Sequence, residues 1–596
     1  MKEKILSMIS VILIISLAIP SLYLTSNANI VQENQKISNA LMRKIDEISS
    51  DDEIDVYIWY RDIDYGEVEK NALKISPISL EKIELTEKEM ESIEPDILIE
   101  ESEINVKKTA KYIEKTKEKR ENIQNMVDQY IDARRLTASE MYKSQNNLNQ
   151  NKIGLKKEQI LYSSQYSPVT IAKLKKEEIE LLSKSPLVLF IELRDTIIPV
   201  NDLAYALPAI DDDYVRNTQG FDGNGVKVGI IEWNRVGTHS DLSTTNITRL
   251  DPSKAVADHS TAVARVLAGK NGPAKSAKLY TISPTGDGVE RAFEEALETL
   301  LSYGVSVINM SIGISRPSNN YYSGVEKWID HIANQHKVTI VRSTGNNGTS
   351  AVINMPGLSY NIITVGGSLT NGTVSKNDDT FYTMTSAANG GTAGCAKPDF
   401  LAPANMIGWE GTSFSAPLVA GVIAQMIEYK PSIATKPELI KAILTSSCTK
   451  KFPNQTGETM EQGLTAKEGS GQINAKFAIW ILASNRYDTG TLYSGSVTKN
   501  ISVTSSDIWI NSSVAWLRNN TAGTNHNSGT YVEATAANLK LEVYRPNGNL
   551  LKSSNIPTSS VEMVYFKVGN VYGTYKLKIS RMDSGTNPIK YAVVWC

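Results

Sequence analysis

Ser413 stands in the stretch Gly411-Thr412-Ser413-Phe414-Ser415-Ala416-Pro417, followed by Leu418-Val419-Ala420-Gly421-Val422-Ile423-Ala424. This run predicts a helix that begins at the serine: Pro417 suits a first turn, and Ala416, Ala420, Gly421 and Ala424 permit close packing. A serine placed there lies beside open backbone N–H groups and the positive end of the helix dipole, both of which favour a developing oxyanion. As a nucleophile it would need a base within hydrogen-bond reach. The chain has five histidines, at 239, 259, 331, 336 and 526. His259 opens the helical stretch Asp258-His259-Ser260-Thr261-Ala262-Val263-Ala264, which ends at Gly269. An acid that could orient an imidazole, Glu232, follows the buried-strand pattern Gly225 to Ile231. Asp258 adjoins His259, but neighbouring side chains diverge; Asp241 lies in His239-Ser240-Asp241-Leu242. Ser343-Thr344-Gly345-Asn346-Asn347-Gly348 follows the strand pattern Val338 to Val341 and places an amide, Asn346, in a turn.

These blocks resemble those of the subtilisin-like serine proteases, in the family's order of acid, base, oxyanion donor and nucleophile. The resemblance covers about residues 201–484. It implies that Ser413 is the nucleophile, His259 the base, Asn346 the oxyanion donor and Glu232 the residue that orients His259, where the family carries aspartate. Glutamate is chemically competent in that role. Val307-Ile308-Asn309-Met310-Ser311-Ile312-Gly313 is similar to the segment that lines the family's substrate cleft, so Ser311, Ile312 and Gly313 are expected to pair with an extended peptide. Lys397-Pro398-Asp399-Phe400-Leu401-Ala402-Pro403 is a further match. Trp233 and Asn234 stand where a small residue and glycine are usual, and Ser260 where glycine follows the histidine. The implied activity is an endopeptidase acting through an acyl-enzyme, made as a zymogen. Those departures motivate an alternative, a catalytically impaired pseudoprotease used as a binding or signalling module. No cofactor is implied for the chemistry, and a structural calcium is left unassigned. Residues 538–596 are similar to C-terminal β-domains of bacterial secreted peptidases, with Asn538, Lys540 and Arg545 where such domains often place aspartates.

The elements that must position these residues are readable as patterns. Short apolar runs alternate with helical stretches from 226 to about 480, which predicts a doubly wound parallel α/β sheet covered on both faces, with the site at the carboxyl ends of its strands. Before it, Asp55 to Tyr60, Val169 to Ile171 and Leu187 to Ile191 read as strands and Lys175 to Ser183 as a short helix, an open-faced α+β unit. Glu177 to Val188 resembles the end of the family's inhibitory propeptide, which makes the chain's own N-terminal part an expected partner beside a protein or peptide substrate. The charged stretch Lys107 to Lys143 reads as a long solvated helix and the 68–150 insertion has no assigned role. From about 485 short alternating strands with turns such as Arg545-Pro546-Asn547-Gly548 predict a β-sandwich.

Lys2 and Lys4 precede an apolar run from Ile5 to Leu24 and the small residues Ser26-Asn27-Ala28, which reads as a cleaved export signal. Left uncleaved, a run of about 20 residues would serve as the chain's only membrane contact. The expected divisions are therefore a signal at 1–28, a propeptide with helical insertion at 29–200, a catalytic domain at 201–484 and a β-sandwich at 485–596, in a secreted or cell-surface protein. With 62 Lys plus Arg against 65 Asp plus Glu the net charge is −3, which gives no electrostatic footprint for nucleic acid. Three cysteines, at 395, 448 and 596, exclude a disulfide framework, and neither CxxC nor HExxH occurs.

Overall fold

The computed structural model describes residues 36–47, 49, 52–91, 103–194, 207–284, 289–314, 322–349, 353–370, 376–387, 397–504, 509–518, 537–583, 585 and 587–596. The signal, most of the stretch between Arg194 and Pro208, His526 and Cys395 lie outside these residues. The centre is an eight-stranded sheet in the order 380–381, 363–369, 339–343, 307–310, 227–231, 278–282 and 246–249, with 400–403 paired to 363–369. Every pairing is parallel except that of the short edge strand Thr380–Phe381. Strands such as Val307–Met310 are buried along their whole length because helices cover both faces. On one side lies the helix Thr412–Tyr429, all but one of its residues buried. On the other side lie Val289–Ser302 and Gly324–His336.

Before this sheet, four antiparallel strands stand in the order 160–163, 169–175, 53–59, 190–193. Strand alternation divides their side chains cleanly. Ile54, Val56 and Ile58 pack with Leu41, Ile179 and Leu182 of the sheet's own helices. Tyr57, Trp59, Ile171 and Phe190 face the other way, against Phe293, Leu297, Trp328 and Ile329 of the central unit. Polar anchors ring that apolar contact. Lys327 Nζ meets Glu192 at 2.6 Å, Arg194 meets Glu294 at 2.8 Å, and Trp328 Nε1 donates to Ser167 Oγ at 3.1 Å.

Glu298 belongs to the same contact: it accepts from the Gln165 N–H at 3.0 Å and from the hydroxyls of Tyr162 and Ser164. Burial pushes its carboxyl up from 4.5 to about 7, against the pull of those donors and with help from the charge of Glu294, which Tyr57 and Arg194 hold. The folded state thus binds this proton more tightly, so the contribution is present below the unfolded value and is lost as pH rises from about 4.5 through 7. Such a rise corresponds to up to about 3 kcal/mol. Glu298→Gln is expected to flatten this part of the pH dependence of unfolding, as read from urea midpoints between pH 4.5 and 8.

The helix Glu103–Ile153 differs from its expectation of a solvated rod. Ile123, Met126, Val127, Tyr130 and Ile131 are buried with Val226, Ile210 and Val215 of the central unit. Several of its polar residues are buried as well, and two arginines reach main-chain groups at the amino ends of the central strands. Arg135 donates to the carbonyls of Val305 at 2.7 Å and His336 at 3.1 Å. Arg134 donates to the carbonyl of Gln335 at 2.6 Å, and Lys227 is flanked by Asp128 and Asp132 at 3.6 and 3.5 Å. The helix crosses beneath the sheet, on the edge opposite the strand ends that carry the candidate site.

After the central unit two four-stranded antiparallel sheets face each other, 487–492, 589–595, 509–516, 561–567 against 496–503, 573–581, 539–544, 550–554. Leu541, Val543, Val593, Leu577 and Trp516 fill the space between them, the sandwich core that alternation predicts. It is fixed to the central unit through the helix Pro437–Ser447, where Ser513 Oγ donates to the Ala442 carbonyl at 2.8 Å.

The matched Lys397-Pro398-Asp399 run is part of this framework. Asp399 is buried and accepts from Lys397 at 2.7 Å, Lys441 at 2.8 Å and the Thr364 N–H at 2.7 Å. Burial alone would raise its carboxyl, but the two ammonium groups hold it below its ordinary value. Removing it leaves two lysines buried with their common counter-charge gone. Asp399→Ala is expected to cost about 3–5 kcal/mol, read as a shift of the denaturant midpoint at neutral pH.

Candidate active site

The strand Lys227–Ile231 is apolar and inserted between two parallel neighbours, so its carboxyl end is a fixed point from which Glu232 projects. Glu232 is 2% exposed. His259 lies in the first turn of Asp258–Ala268, and its Nδ1 is 3.1 Å from Glu232 Oε2. The longer acid therefore reaches the imidazole. Asp258 is exposed and Asp241 is taken up by Arg265 at 2.8 Å and Lys270 at 3.0 Å, so neither competes. Ser260, where the sequence departs from the family, is 1% exposed and fits inside the helix packing.

Ser413 is in the first turn of Thr412–Tyr429, where backbone N–H groups lack intrahelical partners. The His259 ring stands edge-on to Phe414, the residue after Ser413, with centroids 5.4 Å apart. Ser413 Oγ points at the Ser311 carbonyl, 3.5 Å away. The Ser413 turn is also held from below: Ser311 Oγ donates to the Ser413 carbonyl at 2.6 Å and accepts from Asn309 Nδ2 at 3.0 Å.

Asn346 follows the strand Thr339–Ser343 through Gly345, whose φ of +100° excludes most side chains. Asn346 Oδ1 accepts from the Thr412 N–H at 2.8 Å and from the Thr412 hydroxyl at 3.0 Å. With its oxygen spent on the helix that bears Ser413, the amide NH2 is the end left to donate elsewhere. Thr412 thus joins the Asn346 turn to the Ser413 turn, a role its place in the motif did not reveal; a hydroxyl directly before the serine is the signal. Ser311, Ile312 and Gly313 continue from the strand Val307–Met310 and are buried, with Ser311 against Ser413.

The other described histidines lie elsewhere. His239 accepts from the Asp241 N–H at 3.0 Å, and His331 and His336 are buried between the long helix and the central unit. Burial pushes the Cys448 thiol up to about 12, which makes it an inert core residue. Among the described residues there is no cluster of three or more His, Cys, Asp or Glu with the geometry to hold a metal ion.

A model of the subtilase family matches residues 223–471, a span that contains all four of these groups. The chain carries a subtilase-family peptidase domain. Subtilisin DY from Bacillus licheniformis is 27% identical to the domain over 261 residues, which is 41% of this chain and 91% of that protein. Subtilisin NAT from Bacillus subtilis subsp. natto is 25% identical over 291 residues, 45% of this chain and 72% of that one. Among solved structures, fervidolysin from Fervidobacterium pennivorans is similar over 71% of this chain and 67% of that chain, with a TM-score of 0.41 and 16% identity. The subtilase domain makes the protein a serine-type peptidase. No helix among the described residues is long and apolar enough to cross a membrane.

Proposed function

We propose that the chain is an exported subtilisin-like serine endopeptidase, made as a zymogen and working through Ser413, His259 and Glu232. The observation that carries this reading is the 3.1 Å contact between His259 Nδ1 and Glu232, with His259 held against the turn that bears Ser413. In the reaction His259 Nε2 takes the Ser413 proton as Oγ attacks the scissile carbonyl. The oxyanion that forms accepts from the Asn346 amide and the N–H groups of the helix start. His259 then gives its proton to the departing amine, leaving an acyl-enzyme on Ser413. A water molecule, deprotonated by the same imidazole, releases the acid and restores the serine. Glu232 accepts from Nδ1, which keeps that proton in place, and stabilises the imidazolium. A peptide would lie in extended form along Ser311–Gly313.

The proposed divisions are a signal over 1–28, an inhibitory propeptide over 29–200, the catalytic part over 201–484 and the sandwich over 485–596. Maturation would cut between about 192 and 215. The buried anchors of the 53–193 sheet on the helices Val289–Ser302 and Gly324–His336 support an N-terminal part that folds with the core before any cut. A serine-directed phosphonate probe is expected to label the secreted protein and to fail on His259→Ala. Absence of labelling on the processed wild type would favour the impaired, non-catalytic alternative.

A further inference from the structure

The 68–150 insertion gives the N-terminal part a second hold on the catalytic unit. The first hold is the four-stranded sheet on the helices Val289–Ser302 and Gly324–His336, where the approach is close: a Cβ on Gly324 would stand 2.8 Å from the Tyr57 ring. The second lies on the opposite layer. There the helix Leu80–Glu91 meets the turn Pro431–Thr435, which follows Thr412–Tyr429. Glu87, 2% exposed, accepts from the Ser432 N–H at 3.2 Å and from the Ser432 hydroxyl, and Lys436 meets Glu84 at 2.8 Å. Ile78 and Ile83 are buried in one cluster with Tyr429, Ile433 and Ala434.

The helix Glu103–Ile153 joins the two holds into one body. Toward its end Asn146 Nδ2 donates to the carbonyls of Ser164 at 2.8 Å and Ser167 at 2.9 Å, and Gln150 Nε2 donates to Thr170 Oγ1 at 2.8 Å, which fixes it to the four-stranded sheet. About 40 Å away along the same axis, Arg120 lies over the rings of Phe221 and Tyr429, 4.9 and 5.3 Å from their centroids. Between these ends Arg134 and Arg135 hold the strand-start carbonyls, and a Cβ on Gly304 would run into Asp132. The N-terminal part therefore passes from one helix layer, beneath the strands, to the other.

A cut between about 192 and 215 severs the chain once and breaks none of these contacts, which join residues 57–170 to residues from 221 onward. Departure of the N-terminal part would bare Phe293, Leu297, Trp328 and Ile329 on one layer and Phe221, Tyr429 and Ile433 on the other. Contiguous apolar patches of that kind are rare on monomers in water. Departure also requires both holds to open together, because while one stays closed the other re-forms at high effective concentration.

We propose that the insertion makes the N-terminal part a lasting second chain of the mature peptidase: after the cut it stays bound as a non-covalent partner, and the working enzyme is a 1:1 complex of the two pieces. This rests on the reading that the chain cuts itself between about 192 and 215.

The test is size-exclusion chromatography of the processed secreted protein at neutral pH in high salt, with intact mass and hydrolysis of a fluorogenic peptide followed across the fractions. Both pieces should elute together in the active fractions, and remain together after dilution and a second passage. Activity confined to a catalytic piece free of the N-terminal one overturns the proposal. Glu87→Ala combined with Arg120→Ala opens the second hold alone and should speed dissociation of the cut protein by about 10- to 100-fold; an unchanged rate removes the second hold from the account. If that variant is not secreted, the wild type decides. Recovery of an uncut wild type removes the self-processing reading by itself. The question then passes to Ser413→Ala carrying a recognition sequence for an unrelated protease between Arg194 and Pro208: after cutting by that protease, co-elution of the pieces upholds the lasting partner and their separation overturns it.

Discussion

Ser413→Ala is expected to be secreted with its N-terminal part still covalently attached, while the wild type is recovered cut between about 192 and 215. The loss should be close to complete, since removing the nucleophile of such a unit lowers turnover by about 10⁶-fold. Intact mass and N-terminal sequencing of the two proteins, side by side, read the outcome. His259→Ala should behave in the same way, because the members of a triad act together and not additively. Fold is not at stake in Ser413→Ala. Ser413 is held by its main-chain carbonyl, which accepts from Ser311 Oγ, and that contact survives loss of the hydroxyl. Recovery of both proteins cut at the same bond would assign the cut to another protease and remove self-processing from the account.

Glu232 gives the second large effect, and its three substitutions separate charge from reach. Glu232→Gln keeps the length but can donate an N–H to Nδ1, which selects the imidazole tautomer whose Nε2 already carries a proton. That ring cannot accept from Ser413, and kcat should fall by about 10⁴-fold. Glu232→Asp keeps the charge but withdraws the carboxylate by one methylene from a contact already at 3.1 Å, on a strand whose two neighbours fix it. A displacement of that size should cost about 10²-fold. Glu232→Ala should lose charge and reach together. Pre-steady-state hydrolysis of an activated ester, which reports acylation, is the suitable measurement. A faster Asp variant would mean that the longer acid is held out of position in the working enzyme.

Most of the central architecture is legible from the sequence because its strands are short apolar runs buried on both faces, and their carboxyl ends are where Glu232, Ser311 and Asn346 fall. The site is legible for a related reason: each member sits next to a local signal, a strand end, a helix start or an Asn-Gly turn. What the sequence conceals is burial achieved through polar side chains. The Glu103–Ile153 helix reads as solvated because Arg120, Gln124, Arg134, Arg135 and Asn146 interrupt its apolar stripe, yet all of them are buried. Except for Gln124, which donates to Asp128 one turn on, their partners lie far along the chain, as with Arg120 over Phe221, and no pattern of residue types announces such partners. Arg342 is buried too, as one charged letter in the strand Thr-Ile-Val-Arg-Ser. Asp399 was visible as part of a motif, but the buried lysine at 441 that shares it lies 42 positions further on, a pairing made only by the fold.

The helix beneath the sheet touches Lys227, Val305 and His336, each at or just before the first residue of a central strand, and those three strands end at Glu232, Ser311 and the Asn346 turn. A strand of five residues is a strut of about 16 Å that scarcely stretches. Axial slip at its lower end is therefore delivered undiminished at the upper end, where an ångström is worth about two orders of magnitude in rate. In the uncut chain the long helix thus works as a datum plane: it sets three struts to a common zero, and the mutual alignment of Glu232, Ser311 and Asn346 inherits its tolerance from contacts made on the far side of the molecule.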